Sequence, residues 1–446
     1  MFKILEKKEK SFFIILLFLI LVNAVLETVG VASIVPLIGL ITQDDFANKY
    51  GFISNVLLNT SEIILPKNIY ITNSEQNNLI AGGFTIFLLI FLFKKIFLIF
   101  LNFLQYTFSN LINYSISTKL YKGYLNLDYI FHTGRHSSNL EHNILTETNS
   151  VTAVFTSVMT IITEGIIVLF LLIFLLAYDF TSSILVFSFL LILSLIIYKI
   201  TRLNLVSWGS KRLIDMENRF KNLKEGLQSI KEIYIQQKSS FFVNNFTKYS
   251  KSFLNLNRNF HTIASLTRPI FEFVGLLTLI TLLLFMLYQG HVLSSLLTIV
   301  GLYLAATFRI LPSLNKIITG GQQIKFNFAS VERILQEFTI INKNYKLHKD
   351  ETNLKFDKKI IFSNVGFSYN NENLPVLKNL NFSIEKGSKF GIKGKSGSGK
   401  TTLINLILTL LKPSEGQIKI DSVSLKQNNI SWLKNIGYVS QDTNLI

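Results

Sequence analysis

Cysteine is missing altogether from the 446 residues. That excludes a disulfide framework, a thiolate metal site and a cysteine nucleophile, and it leaves the redox compartment unreadable. Charge is scarce, at 16% of residues where a soluble domain carries about a quarter. Acids are the scarcer sign, 27 Asp and Glu against 44 Lys and Arg, so the formal net charge is +17. Proline, at 6 copies, is too rare to break up long helices. Apolar side chains fill the space: 39 Phe and a mean hydropathy of +0.40 describe a chain solvated largely by lipid.

A bilayer core about 30 Å thick takes roughly 20 helical residues to cross, so long stretches almost free of charge mark the spans. Residues 12–42 carry only Glu27, 79–112 only Lys94 and Lys95, 151–178 only Glu164, and 180–198 no charge. Between Arg268 and Arg309 the only further charge is Glu272, and the polar break at Gln289, Gly290 and His291 divides that stretch in two. Six transmembrane helices are therefore expected. The first run is too long for a signal-peptide core and no small-residue cleavage site follows it, so it is kept as a span.

Charge placement gives the orientation. From Lys199 to Arg258 twelve Lys or Arg face four acids, whereas residues 43–78 carry two Lys and four acids. The positive-inside tendency puts the first connection in the cytoplasm and the second outside. Both termini are then cytoplasmic, in agreement with the basic Met1–Lys10 segment. A basic stretch set between two spans argues against a nucleic-acid partner and for the bilayer. The cytoplasmic connections, about 113–150 and 199–260, carry apolar residues at helical spacing, such as Leu223, Leu227, Ile230 and Tyr234. Membrane helices are expected to continue there and turn back through short transverse helices near Tyr129–Ile144 and Gln228–Phe242.

Past a polar segment at 342–353 the texture changes to short alternating runs with turns, as in a soluble α/β domain. A strand, Phe390–Lys393, is expected to lead into Gly394, Lys395, Ser396, Gly397, Ser398, Gly399, Lys400 and Thr401, with a helix from Thr402. This is GxxxxGK[ST], the spacing of a polyphosphate cradle. Glycines let successive N–H groups close around phosphate oxygens, and the helix N-terminus adds partial positive charge. Lys400 is expected to reach the β- and γ-phosphates of ATP, and Thr401 to hold Mg²⁺. A Gly-rich turn with an exposed lysine is the bland alternative.

With that loop in place the whole chain resembles ABC transporters of the fused exporter type. The stretch VGFSYNNENLPVLKNLNFSIEKGSKFGI resembles the opening strands of their ATPase domain, and the resemblance implies that Tyr369 stacks on adenine. NIGYVSQDTNLI resembles the Q-loop, which implies that Gln441 serves Mg²⁺ and the attacking water. The family also implies a signature segment, a Walker B acid pair and a switch histidine. None of these occurs in the 446 residues, so the polypeptide as written is not expected to hydrolyse ATP, and the helix around Leu403–Leu411 is expected to lose cover on one side. ETVGVASIVPLIGLI, RPIFEF and FRILPSLNKI are similar to lipid-linked oligosaccharide flippases of the PglK type. That likeness implies a basic cavity for a pyrophosphate headgroup, carried here by Lys94, Lys95, Arg268 and Arg309. Snorkelling at helix ends, or pairing with the glutamates as Glu272 one turn from Arg268 allows, stays open beside it.

The expected architecture is an α-helical membrane domain of six spans (1–341), a linker (342–353) and an incomplete α/β P-loop NTPase domain (354–446). The expected activity is ATP-driven export or flipping of a lipid-linked oligosaccharide or related glycolipid across the cytoplasmic membrane. The resemblance implies a second identical half-transporter as partner. Another cargo, or a membrane protein that only binds nucleotide, is the alternative.

Overall fold

The computed structural model describes residues 6–42, 75–201, 204–290, 293–344, 354–369 and 375–439. It divides into two compact units, residues 1–119 with 141–335, and residues 120–140 with 336–446.

The first unit is helical because its sequence offers long apolar runs with few residues able to stop a helix. Its elements are α1 (Lys7–Ala32), α2 (Ile34–Thr42), α3 (Glu75–Leu125), α5 (Ser137–His142), α6 (Thr148–Tyr178), α7 (Phe180–Thr201), α8 (Leu205–Gln228), α9 (Ile230–Gln236), α10 (Ser239–Tyr288), α11 (Leu293–Phe326) and the start of α12 (Phe328–Asn344). A π-helical turn, Asn143–Glu147, joins α5 to α6. Helix α3 has 51 residues and α10 has 50, so each runs roughly 75 Å, far beyond a bilayer core of about 30 Å. That excess length forms the helical connections that the spacing predicts. Among the described residues five helices are long and apolar enough to cross a membrane, and the sixth apolar stretch lies in α11.

Two breaks have local causes. Pro36 has no N–H, and its ring would collide with the carbonyl of Ala32, so the first apolar run is interrupted at Ser33. Gly290 adopts φ +76 between α10 and α11, at the polar break of the sequence. Pro312, by contrast, lies inside a continuous α11. The core gathers Leu302, Tyr303 and Ala306 of α11, Ile167 and Leu171 of α6, and Leu282 of α10, all fully buried. Ile14, Phe18, Leu88 and Phe103 remain exposed, as expected of side chains that face hydrocarbon rather than water.

The second unit contains α4 (Tyr129–Thr133), the end of α12, and a four-stranded antiparallel sheet in the order β2-β1-β3-β4. The strands are β1 (Lys359–Phe367), β2 (Leu377–Glu385), β3 (Glu415–Ile420) and β4 (Val423–Ser424), with Phe362 opposite Phe382 and Ile418. Helix α13 (Lys400–Ile407) packs on this sheet, and α14 (Ile430–Leu433) closes the end. Trp432 is buried there, its indole N–H donating to the Ile407 carbonyl at 2.8 Å, while the Asn429 side chain accepts the Trp432 N–H at 3.0 Å.

Two expectations are corrected here. Leu403, Leu406, Leu408 and Leu411 are buried, because β1, β3 and Trp432 cover the side of the helix expected to lie bare. Residues 390–393 form no strand: a strand needs a hydrogen-bonded neighbour, and none of the described residues pairs with them. Phe390 instead stacks on Phe382 with ring centroids 5.5 Å apart.

The entry to β1 is tied down by one carboxylate. Asp421 accepts the backbone N–H groups of Asp357, Lys358 and Lys359 at 2.9, 2.9 and 2.7 Å. Hydrogen bonds from Asp357 and Lys359, then Lys358, hold its carboxyl below the ordinary 3.8. A depressed carboxyl stabilises the fold above its ordinary pKa and stops doing so as the pH falls through its folded value. The three amides should therefore be protected from hydrogen exchange near neutral pH and open as acid is added. Asp421→Asn should leave them fast-exchanging at every pH between about 4 and 7.

Candidate functional site

The loop at 394–401 lies in the second unit. Gly399 caps α13 with φ +88, and Gly397 has φ +78, a region that side-chain-bearing residues rarely adopt. A Cβ on Gly399 would sit 2.8 Å from Leu377 Cδ2, so glycine is required there by packing as well as by backbone angle. The first amides of a helix have no partner within it, and α13 points them at the loop. Lys395, Ser396, Gly397 and Ser398 are exposed. The Lys400 ammonium folds back over the loop and donates to the carbonyls of Gly394 and Lys395, both at 2.8 Å. Donors of this kind around a concave, Cβ-free backbone fit a polyphosphate.

Thr401 is exposed at the loop's edge, where a hydroxyl can serve a metal ion. Thr402 is buried, and its hydroxyl lies 3.3 Å from that of Tyr369. The structure thus brings Tyr369 to the first turn of α13, its ring set edge-on to Phe367 at 4.8 Å. Gln441 lies outside the described residues.

Within this same unit the first cytoplasmic connection packs with the ATPase-like residues. Asn428 donates its side-chain amide to Asp128, at the head of α4, at 2.6 Å. Arg135 donates to both carboxylate oxygens of Glu337 at 2.8 and 3.0 Å. Neither pair is visible from local sequence pattern.

Charged side chains of the apolar helices converge in the first unit. Lys94 Nζ lies 3.0 Å from Glu27, with the two side chains only 5% and 2% exposed. Arg309 joins Glu27 to Glu164, at 3.1 and 3.2 Å, and Lys316 reaches Glu164 at 2.6 Å. Ser313 donates to Glu164 at 2.8 Å. Gly30 makes room for this arrangement, since a Cβ there would lie 2.9 Å from the Lys94 ammonium. Of the four candidate cations, Lys94 and Arg309 are therefore brought together, on a shared carboxylate. Lys95 is exposed, and Arg268 pairs with Glu272 at 2.9 Å on an exposed surface. Lys316 is not among the four, although Arg309, Ser313 and Lys316 follow one another at helical spacing, four and seven residues on.

A bundle of long apolar helices joined to a phosphate-cradling loop defines a membrane protein with an ATP-binding domain. Comparison with known families matches residues 12–311 to the ABC transporter transmembrane region and residues 377–446 to the ABC transporter family. The chain belongs to the ABC transporters. It is 25% identical over 352 residues to an ATP-dependent lipid A-core flippase of Burkholderia thailandensis, covering 76% of this chain and 57% of that one. It is 28% identical over 231 residues to ABC transporter B family member 26, chloroplastic, of Arabidopsis thaliana, covering 51% of this chain and 30% of that one. A shorter match, 40% identical over 95 residues, is to a probable multidrug resistance ABC transporter ATP-binding/permease protein of Bacillus subtilis, covering 21% of this chain and 16% of that one. The chain spans less than two thirds of the length of each of these relatives.

Proposed function

We propose that the chain is part of an ATP-driven exporter or flippase that moves an amphipathic lipid, a lipid-linked oligosaccharide or related glycolipid, across the cytoplasmic membrane. The observation that carries this reading is the Gly-lined loop at 394–401, with Lys400 aimed into it, in a chain of the ABC transporter family. Similarity to lipid A-core flippases supports a lipid cargo.

In this reading residues 1–341 form the membrane domain, 342–353 the linker and 354–446 the first part of the nucleotide-binding domain, with both termini cytoplasmic. The backbone amides of 394–400 hold the phosphates, Lys400 turns from its loop carbonyls to phosphate oxygens, and Thr401 and Gln441 hold Mg²⁺. Tyr369 stacks on the adenine. Bound ATP with Mg²⁺ supplies the energy of phosphoryl transfer. Two identical chains work together, and cytoplasmic helices transmit nucleotide binding to the membrane helices. Helix α9 is suited to that transmission, because Tyr234 is 86% exposed and Ile235 69%, which gives a rigid helical extension an apolar tip.

Photolabelling with 8-azido-ATP and Mg²⁺ tests the nucleotide half of this reading. The peptide containing Tyr369 should be labelled, and excess ATP should suppress the label. Labelling elsewhere only, or none, would contradict it.

A further inference from the structure

Two recesses of the first unit meet at one residue. The first, about 650 Å³, lies between α10 and α11. Its walls are apolar, with Phe271, Leu279 and Leu311 among them, and Arg268, Asn315 and Lys316 mark its polar end. The second, about 440 Å³, lies between α6 and α11 and is lined by hydroxyls and an amide: Thr156, Thr160, Thr319 and Gln323, with Lys316 again. Both volumes fall in the range of small-ligand sites, roughly 300–1,000 Å³. Along α11 the lining runs from Thr307 to Gln323, about 24 Å at helical rise, apolar in its first half and hydroxylated in its second.

Charge at the junction is unbalanced by one. Lys94, Arg309 and Lys316 face only two carboxylates, Glu27 and Glu164. Lys94 and Arg309 are committed to those buried acids. Lys316 is 54% exposed, and an ammonium has three donors, of which Glu164 takes one. The surplus positive charge is therefore presented at Lys316, where the two recesses join.

We propose that the two recesses are one bipartite site for an anionic glycolipid, with its chain between α10 and α11, one phosphate on Lys316, and a hydroxylated headgroup along Thr156, Thr160, Thr319 and Gln323. The proposal rests on the exporter reading for its role, but its chemistry is independent of nucleotide. It assigns the anion to Lys316 rather than to the paired Lys94 and Arg309. A neutral lipid would leave the surplus charge unanswered, and an anionic lipid without hydroxyls would leave the Thr/Gln groove unused.

The test is lipid retention by the purified 446-residue chain, read by native mass spectrometry after exchange into phosphatidylinositol, phosphatidic acid or phosphatidylcholine. Phosphatidylinositol should be retained most, phosphatidic acid less, phosphatidylcholine least. Lys316→Gln should lower retention of both anionic lipids by about tenfold, the size of one hydrogen bond to a charged group. Glu164 keeps Arg309 and Ser313 in that variant, so its carboxylate is not orphaned. Lys316→Arg should restore retention. Thr160→Val with Thr319→Val should bring phosphatidylinositol down to the level of phosphatidic acid and leave phosphatidic acid unchanged. Equal retention of all three lipids, or Lys316→Gln binding like wild type, overturns the proposal. With normal 8-azido-ATP labelling, those results sink the lipid site alone. Lost labelling with normal lipid retention sinks the exporter reading and leaves the site standing.

Discussion

Replacing Glu27 by leucine should destabilise the membrane unit by about 3–5 kcal/mol, the penalty for leaving a buried charge without its partner. Glu27 is the shared acid of Lys94 and Arg309, and it is 2% exposed. Arg309 would still have Glu164, but Lys94 would lose the only carboxylate beside it among the described residues. The ammonium would then sit against α1 at Gly30 and over the Phe91 ring, 4.0 Å from its centroid, with no acid to balance it. Because the cost comes from the orphaned charge rather than from lost attraction, Glu27→Leu combined with Lys94→Met should recover most of the stability. Unfolding in detergent, followed by heat or by added SDS, measures both. Equal losses in the single and double variants would show that the pair has no structural role.

Much of this architecture is legible in the sequence because the signals are local. A run of about 20 apolar residues has to become a helix in a bilayer, whatever else it touches. The polar break at Gln289–Gly290 separates α10 from α11 for the same reason, and the glycine spacing at 394–399 dictates a loop that only residues without Cβ can make. The illegible parts depend on partners remote in sequence. Asp128 and Asn428 are 300 residues apart, so nothing near either predicts that residues 120–140 belong with the second unit. The apolar residues at 390–393 suit a strand, but strand formation is decided by a neighbour, and Phe390 finds an aromatic stack instead.

The charge cluster falls between these cases. Glu27, Lys94, Glu164 and Arg309 stand out as charges in apolar runs, yet which carboxylate each cation meets depends on how α1, α3, α6 and α11 pack. The result matters for function: two of the four candidate cations are satisfied internally, and Lys316, which looks like an ordinary helix-end lysine in sequence, is the one that faces open space.

Lys400→Met should weaken binding of ATP with Mg²⁺ by about 1.5–3 kcal/mol, roughly tenfold to a hundredfold in Kd, because one charge-assisted donor to phosphate is lost. The side chain points into its own loop and holds no core contact that methionine would break, so folding should be unaffected. Titration of the purified chain with a fluorescent ATP analogue and Mg²⁺, wild type against Lys400→Met, measures the central claim most directly. Saturable binding that falls by that factor in the variant is the predicted result. Equal affinity in the two proteins would contradict it and remove the loop at 394–401 as the nucleotide site.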